Sequence, residues 1–124
     1  MYDDFVELGV DCTNPVQFGN DPFALQKKYE DTLTLVGCFD KQGILEKEDS
    51  TDEMIQAHLR EVLYTMSKRR SWIADVRFMD KSRSHLWEEI IDEYNRPLYE
   101  KAGVPPRREC DAVHKNAFSC TGAK

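Results

Sequence analysis

The sequence predicts an α/β domain built on two to three parallel strands with flanking helices, and three observations carry that prediction. Two strand-like runs, residues 10–13 and 32–37, are separated by a helix opening at Asp21 and Pro22. Strand, helix, strand in that order asks for parallel pairing through a right-handed crossover. Residues 32–37 also alternate β-branched and apolar side chains without a charge, the pattern of a strand covered on both faces. Finally, the polar and reactive side chains Asn14, Gln17, Cys38 and Asp40 stand where each run stops. In a parallel sheet the loops after the carboxyl ends of neighbouring strands converge on one rim and meet ligands there. Asp40 is therefore the predicted catalytic carboxylate, as general base or hydrogen-bond acceptor, with capping of the turn before Gly43 as its structural alternative; Asn14, Gln17 and Cys38 are the predicted substrate-binding residues, Asn14 and Gln17 alternatively holding the loop backbone.

The elements follow in order. Residues 3–8 read as the last turn or two of a helix closed by Gly9, a left-handed carboxyl cap; a chain opening this way looks cut from something longer. The first strand is expected to end at Asn14 and Pro15. Asp21 is a credible N-cap with Pro22 at the first helical position, and Phe23, Leu25 and Tyr29 give a loosely amphipathic helix to about residue 30. After the second strand, Ser50 and Glu53 form a capping box for the clearest helix of the chain, with Ile55, Leu59, Val62 and Met66 on one face and an end near Arg69. Residues 72–78 are a third strand, weakened by Asp75 and Arg77. A last helix from about Ser84 carries Leu86, Trp87, Ile90, Ile91, Tyr94 and Leu98, and Pro97 is expected to kink or end it. Residues 1–103 are thus the α/β domain and 104–124 a tail with Pro105 and Pro106 that is ordered only if something packs on it.

With 124 residues, 40% hydrophobic and 32% charged, the composition suits one ordinary domain with a modest core. A net charge of -6 argues against a nucleic-acid partner, whose phosphates need a basic face, and against an anionic membrane surface. The one basic run, Lys68, Arg69 and Arg70, reads as a helix carboxyl end complementing its dipole. No apolar run approaches the roughly 20 residues of a membrane span. The acidic start, MYDDFVELG, is unlike a signal peptide, so a cytoplasmic location is expected.

Of the four cysteines, Cys12 and Cys38 sit in the strand runs, where buried free thiols are the usual outcome in a reducing compartment. As a pair near the strand ends they are alternatively a thiolate site for a soft metal such as zinc. Cys110 and Cys120 have the nine-residue separation of oxidised helical hairpins, which keeps a small redox protein open as a third, weaker reading. His58, His85 and His114 share no local ligand spacing and are expected to be solvated or capping. Glu46, Lys47, Glu48 and Asp49 read as a solvated turn.

GVDCTNPVQ, DPFALQKKYEDTLTLVG and CFDKQGIL, followed by a capped helix, resemble the last two strand-helix units of the uroporphyrinogen decarboxylase superfamily, over residues 5–101. The resemblance lies in the ordered set: an acid after Gly9, Asn-Pro after the first strand, Asp-Pro at the helix start, an aromatic near its end, and Gly-x-x-Asp after the second strand. It implies the carboxyl-terminal part of a TIM (β/α)8 barrel, incomplete alone. It further implies a fragment or subunit of a decarboxylase-like enzyme, more of the branch that transfers methyl groups to or from a corrinoid than a true porphyrinogen decarboxylase. Zinc and corrinoid enter as cofactors by resemblance only. The implied partners are an amino-terminal barrel chain or a second copy; in the decarboxylases the arginines and aspartate that hold porphyrinogen carboxylates come largely from earlier strands. The competing reading is a non-enzymatic α/β module that self-associates or binds a protein through exposed sheet edges.

Overall fold

The computed structural model describes residues 1–105. The elements are α1 (Tyr2–Glu7), β1 (Cys12–Val16), α2 (Pro22–Tyr29), β2 (Thr34–Gly37), α3 (Asp52–Met66), β3 (Trp72–Ile73) and α4 (Ser84–Ala102). Short turns Phe18–Asn20, Lys41–Leu45 and Lys81–Arg83 punctuate the connections. The chain divides into two compact units, Met1–Trp87 and a second beginning at Glu88. Among the described residues no helix is long and apolar enough to cross a membrane.

The sheet is parallel throughout, in the order β1-β2-β3, with α2 and α3 as the crossovers. Parallel pairing of the first two runs is as the sequence predicts. The strand boundaries differ. β1 continues through the cis Asn14–Pro15 peptide to Val16, and its register against β2 shifts between Thr13 and Val16, where β1 holds one extra residue. A proline without an N–H is tolerated here because β1 lies at an edge of the sheet. β3 is two residues rather than seven, since Asp75 and Arg77 belong to the loop beyond it.

α3 is anchored as its periodicity requires. Ile55, Leu59, Val62 and Met66 are fully buried, and together with Leu35, Leu33, Leu45 and Leu86 they form the core of the first unit. The cap is displaced by one residue: Thr51, not Ser50, is the N-cap and accepts the Met54 N–H, while Asp52 and Glu53 oppose the positive end of the helix dipole. α3 ends at Met66, and Gln26 of α2, itself buried, donates to the carbonyls of Met66 (2.9 Å) and Arg70 (3.1 Å). The basic run beyond it is held by charge. Arg69 pairs with Glu30 at 2.9 Å and Arg70 with Asp31 at 2.8 Å, so these cations serve the α2–β2 corner rather than the dipole alone.

α1 closes as expected. Gly9, at φ +80, donates to Val6 O and Val10 to Phe5 O, the two bonds of a Schellman cap. The same pair ends α4, where Gly103 and Val104 donate to the carbonyls of Glu100 and Tyr99. α4 therefore runs five residues past Pro97 instead of stopping there; Pro97 is exposed, and the hydrogen bonds on either side carry the helix through. Of the predicted stripe on α4, Leu86 and Ile90 are buried while Leu98 is about half exposed. The predicted tail enters the described residues only with Val104 and Pro105; Cys110, His114 and Cys120 lie outside them.

Candidate functional site

All three strands point their carboxyl ends at one cleft of about 650 Å³, a size suited to a small molecule. The end of β1 contributes Val16 and Gln17, followed by Phe18. The end of β2 contributes Gly37, Cys38, Phe39 and Asp40. The loop after β3 contributes Asp75, Val76 and Arg77. Lys41, Gln42, Gly43 and Leu45 form a further wall.

The chain leaves β2 through two consecutive left-handed residues, Gly37 at φ +91 and Cys38 at φ +73. For a side chain larger than glycine's that conformation costs energy, on the order of 1 kcal/mol or more. It is held in place here: the Cys38 N–H donates to Val16 O at 3.1 Å and the Trp72 indole N–H to Gly37 O at 3.2 Å. Burial pushes the Cys38 thiol up to about 12, with the Trp72 indole opposing part of the rise. At neutral pH it is a protonated thiol, a poor nucleophile and a poor metal ligand. Cys12 does not join it. That residue is exposed at the amino end of β1, opposite Thr34, whereas Cys38 follows the carboxyl end of β2. The two cysteines do not fit a zinc site, and among the described residues no three His, Cys, Asp or Glu side chains are grouped to hold a metal.

Asp40 starts the turn Lys41–Leu45. Its Oδ1 accepts the Gly43 N–H at 2.9 Å, and Gly43 lies so close that a Cβ there would stand 2.4 Å from Asp40 Oδ2. The backbone N–H of Asp40 donates to His58 Nε2 at 2.8 Å. His58 is not solvated, as the sequence suggested, but buried on α3, with Phe18 and Phe39 edge-on to its ring at 5.0 and 6.2 Å between centroids. Because Nε2 accepts, the neutral ring carries its proton on Nδ1. Burial holds its pKa below the ordinary histidine value, against the pull of Asp40 and Glu61. His85 is exposed, with Nδ1 2.7 Å from Ser82 O near the start of α4, the capping place expected for it.

Three of the four predicted site residues, Gln17, Cys38 and Asp40, are brought together in the cleft. Asn14 is exposed on β1 and does not line it, because the strand runs on to Val16 and carries the rim downstream. The structure adds Lys41, Asp75 and Arg77. Arg77 Nε sits 3.4 Å from Asp75 Oδ1 in an exposed pair, so two acids and two bases ring a wall of Val16, Phe18, Phe39 and Leu45. The signal for Asp75 and Arg77 was in the sequence: charges within a strand-like run mark where the strand has already ended and the rim begins.

Arg83 was not legible in this way. Its Nη1 donates to the carbonyls of Leu45 and Lys47 at 3.0 Å each, and its Nη2 to those of Glu48 and Ser50 at 3.3 Å each. Glu46 accepts the Met79 N–H at 2.8 Å. The acidic stretch read as a merely solvated turn is thus strapped to residues 79–83 and steadies the wall of the cleft beside it.

Comparison with protein-family models, with curated proteins and with solved structures yields no match to this chain.

Proposed function

We propose that the chain is a ligand-binding section of a uroporphyrinogen decarboxylase-like barrel, of the methyl-transferring branch, and that the rim cleft is its share of the active site. The observation that carries this reading is the sheet: consecutive strands lie side by side, parallel, in chain order, with a helix between each and a cleft at their carboxyl ends. That is how such barrels are laid down and where they bind ligands. In this reading Asp40 accepts a hydrogen bond or proton from the ligand, Gln17, Lys41 and Arg77 orient its polar groups, and Cys38 is a neutral wall. The remaining strands come from an amino-terminal barrel chain or a second copy.

Trp72, tilted, and Trp87, edge-on, both lie against Phe39, at 6.1 and 5.5 Å between centroids, so indole fluorescence reports on the cleft. Titration with a carboxylated porphyrin and with cobalamin is expected to give saturable quenching by at least one of them. Arg77→Ala, at an exposed side chain, is expected to weaken that ligand about tenfold without loss of fold. No saturable binding of either, in the isolated chain or its assembled form, removes the reading.

A second reading, an interaction module without catalysis, draws on a different observation. β3 is an edge strand with Ile73 half exposed, and such an edge recruits another strand. Self-association without binding either compound favours it.

A further inference from the structure

We propose that His58 is a proton-controlled latch on the wall of the cleft: neutral, it accepts the Asp40 N–H and holds the turn Lys41–Leu45 in place; protonated, it takes the Asp40 carboxylate instead and loosens that turn. The latch engages the wall through its backbone. Asp40 donates its amide to His58 Nε2 at 2.8 Å, while its carboxylate caps the same turn at Gly43 N, 2.9 Å away. The two bonds converge on one residue, which ties the ring to the turn.

A proton arriving from solvent lands on Nε2, the only ring nitrogen able to take one, and sets two donors against each other. The bond to the Asp40 N–H must open. The Phe18 and Phe39 rings clasp the imidazole edge-on, which opposes turning it away. The nearest compensation for the new charge is carboxylate. Asp40 faces His58 from the turn and Glu61 from α3 itself; Phe18 and Phe39, from the ends of β1 and β2, bring no charge. Drawing the Asp40 carboxylate to the ring pulls its Oδ1 from the Gly43 N–H and loosens Lys41, Gln42 and Gly43, which line the cleft, while Leu45 stays tied through Arg83 and through its own N–H to Asp40 O. Burial disfavours the charged ring and keeps it neutral at neutral pH, so the loosening belongs to mild acid.

As regulation of the proposed site, the latch rests on the ligand-binding reading, but its structural step is measured without ligand, so either can fail alone. The experiment is NMR on the full chain across mildly acidic pH, following the His58 ring, the Asp40 and Gly43 amides, and amide protection factors. The amides are expected to move with the midpoint of the ring. Protection at Asp40 and Gly43 should fall roughly tenfold while that at Leu59 and Val62, inside α3, is kept. In His58→Gln, whose amide oxygen accepts the same N–H and does not titrate, that response disappears. A ring that titrates with still amides, loss of protection in α3 together with the turn, or a His58→Gln chain that keeps the response would each overturn the proposal. If His58→Gln does not fold, the coincidence of midpoints in the unaltered chain decides.

Discussion

Single residues set the chemistry of the rim, and His58 shows how much turns on one ring nitrogen. Its spacing was readable: three residues after Ile55 and four before Val62, it falls on the buried face of α3. Its partner was not, because the acceptor takes a backbone N–H from eighteen residues upstream and no side-chain pattern records that. The thermodynamic consequence has a definite sign. The folded chain holds His58 below the ordinary value of 6.5, so between the two values the unfolded chain binds more protons and stability rises with pH. The contribution is complete above the unfolded value and is lost as pH falls from there through the folded one. Asp3 and Asp80 are also lowered, from 3.8, but they are fully exposed and their window lies at lower pH. Urea midpoints are therefore expected to fall between about pH 7.5 and about pH 5.5 with an unchanged slope, and to fall less in His58→Gln. Equal losses in both chains would assign the acid sensitivity to other groups. Asp40 teaches the complementary lesson: both its place after the strand and its capping of the turn before Gly43 were legible, because an acid three residues ahead of a glycine is a turn signal and Gly43 leaves room for the carboxylate.

At the scale of elements, the clearest periodicity gave the most faithful structure. α3 buries all four residues of its predicted face, since an uninterrupted apolar stripe has only one way to leave water. α2 was read from Phe23, Leu25 and Tyr29, yet Pro22, Gln26 and Tyr29 are its buried residues and the other two are only partly covered. An amide in a core makes sense only with its acceptors, and those of Gln26 lie forty and forty-four residues away, at the last residue of α3 and four residues beyond it. The carbonyls of a helix's last turn lack intrahelical partners, so Gln26 completes α3 as a cap completes a helix from within its own chain. Gln26→Leu keeps the volume and removes both donors. It is expected to destabilise the chain by about 0.5–1.5 kcal/mol in urea denaturation, the range for a lost hydrogen bond, since Met66 O keeps the Arg69 N–H and Arg70 is exposed. A loss within about 0.5 kcal/mol, the usual range of a surface change, would mean that water replaces the amide. Of the two outcomes expected at Pro97, an end to the helix is the one that does not occur. A proline inside a helix costs on the order of 3 kcal/mol, which is a cost and not a stop signal. With a Schellman cap at Gly103 to complete the far side, α4 carries it.

For the whole molecule, the open question of partners is set by the two outer strands of the sheet. Parallel sheets are normally buried on both faces and flanked by further strands, and a three-stranded one presents two edges. The edges are unequal. β1 carries Pro15, lacks one N–H for pairing and breaks register between Thr13 and Val16, all features that discourage a neighbour. β3 carries neither a proline nor a register break, its short length of two residues being its only such feature, and Ile73 on it is 53% exposed. Alternation of strand and helix made the parallel sheet legible in the sequence, but which edge stays open follows from the order of strands and from proline placement, which only coordinates supply. Under the proposed barrel reading, a further strand is expected to add beside β3. Ile73→Lys puts a charge on a face of the edge strand, where an added strand's own side chains would pack beside it, and leaves the core untouched, so stability should stay within about 0.5 kcal/mol while association weakens. Sedimentation of the two chains at matched concentration is the measurement. An assembly that survives Ile73→Lys but is broken by a lysine at exposed Asn14 on β1 would place the partner on the other side of the sheet, and with it the direction in which the remaining strands are added.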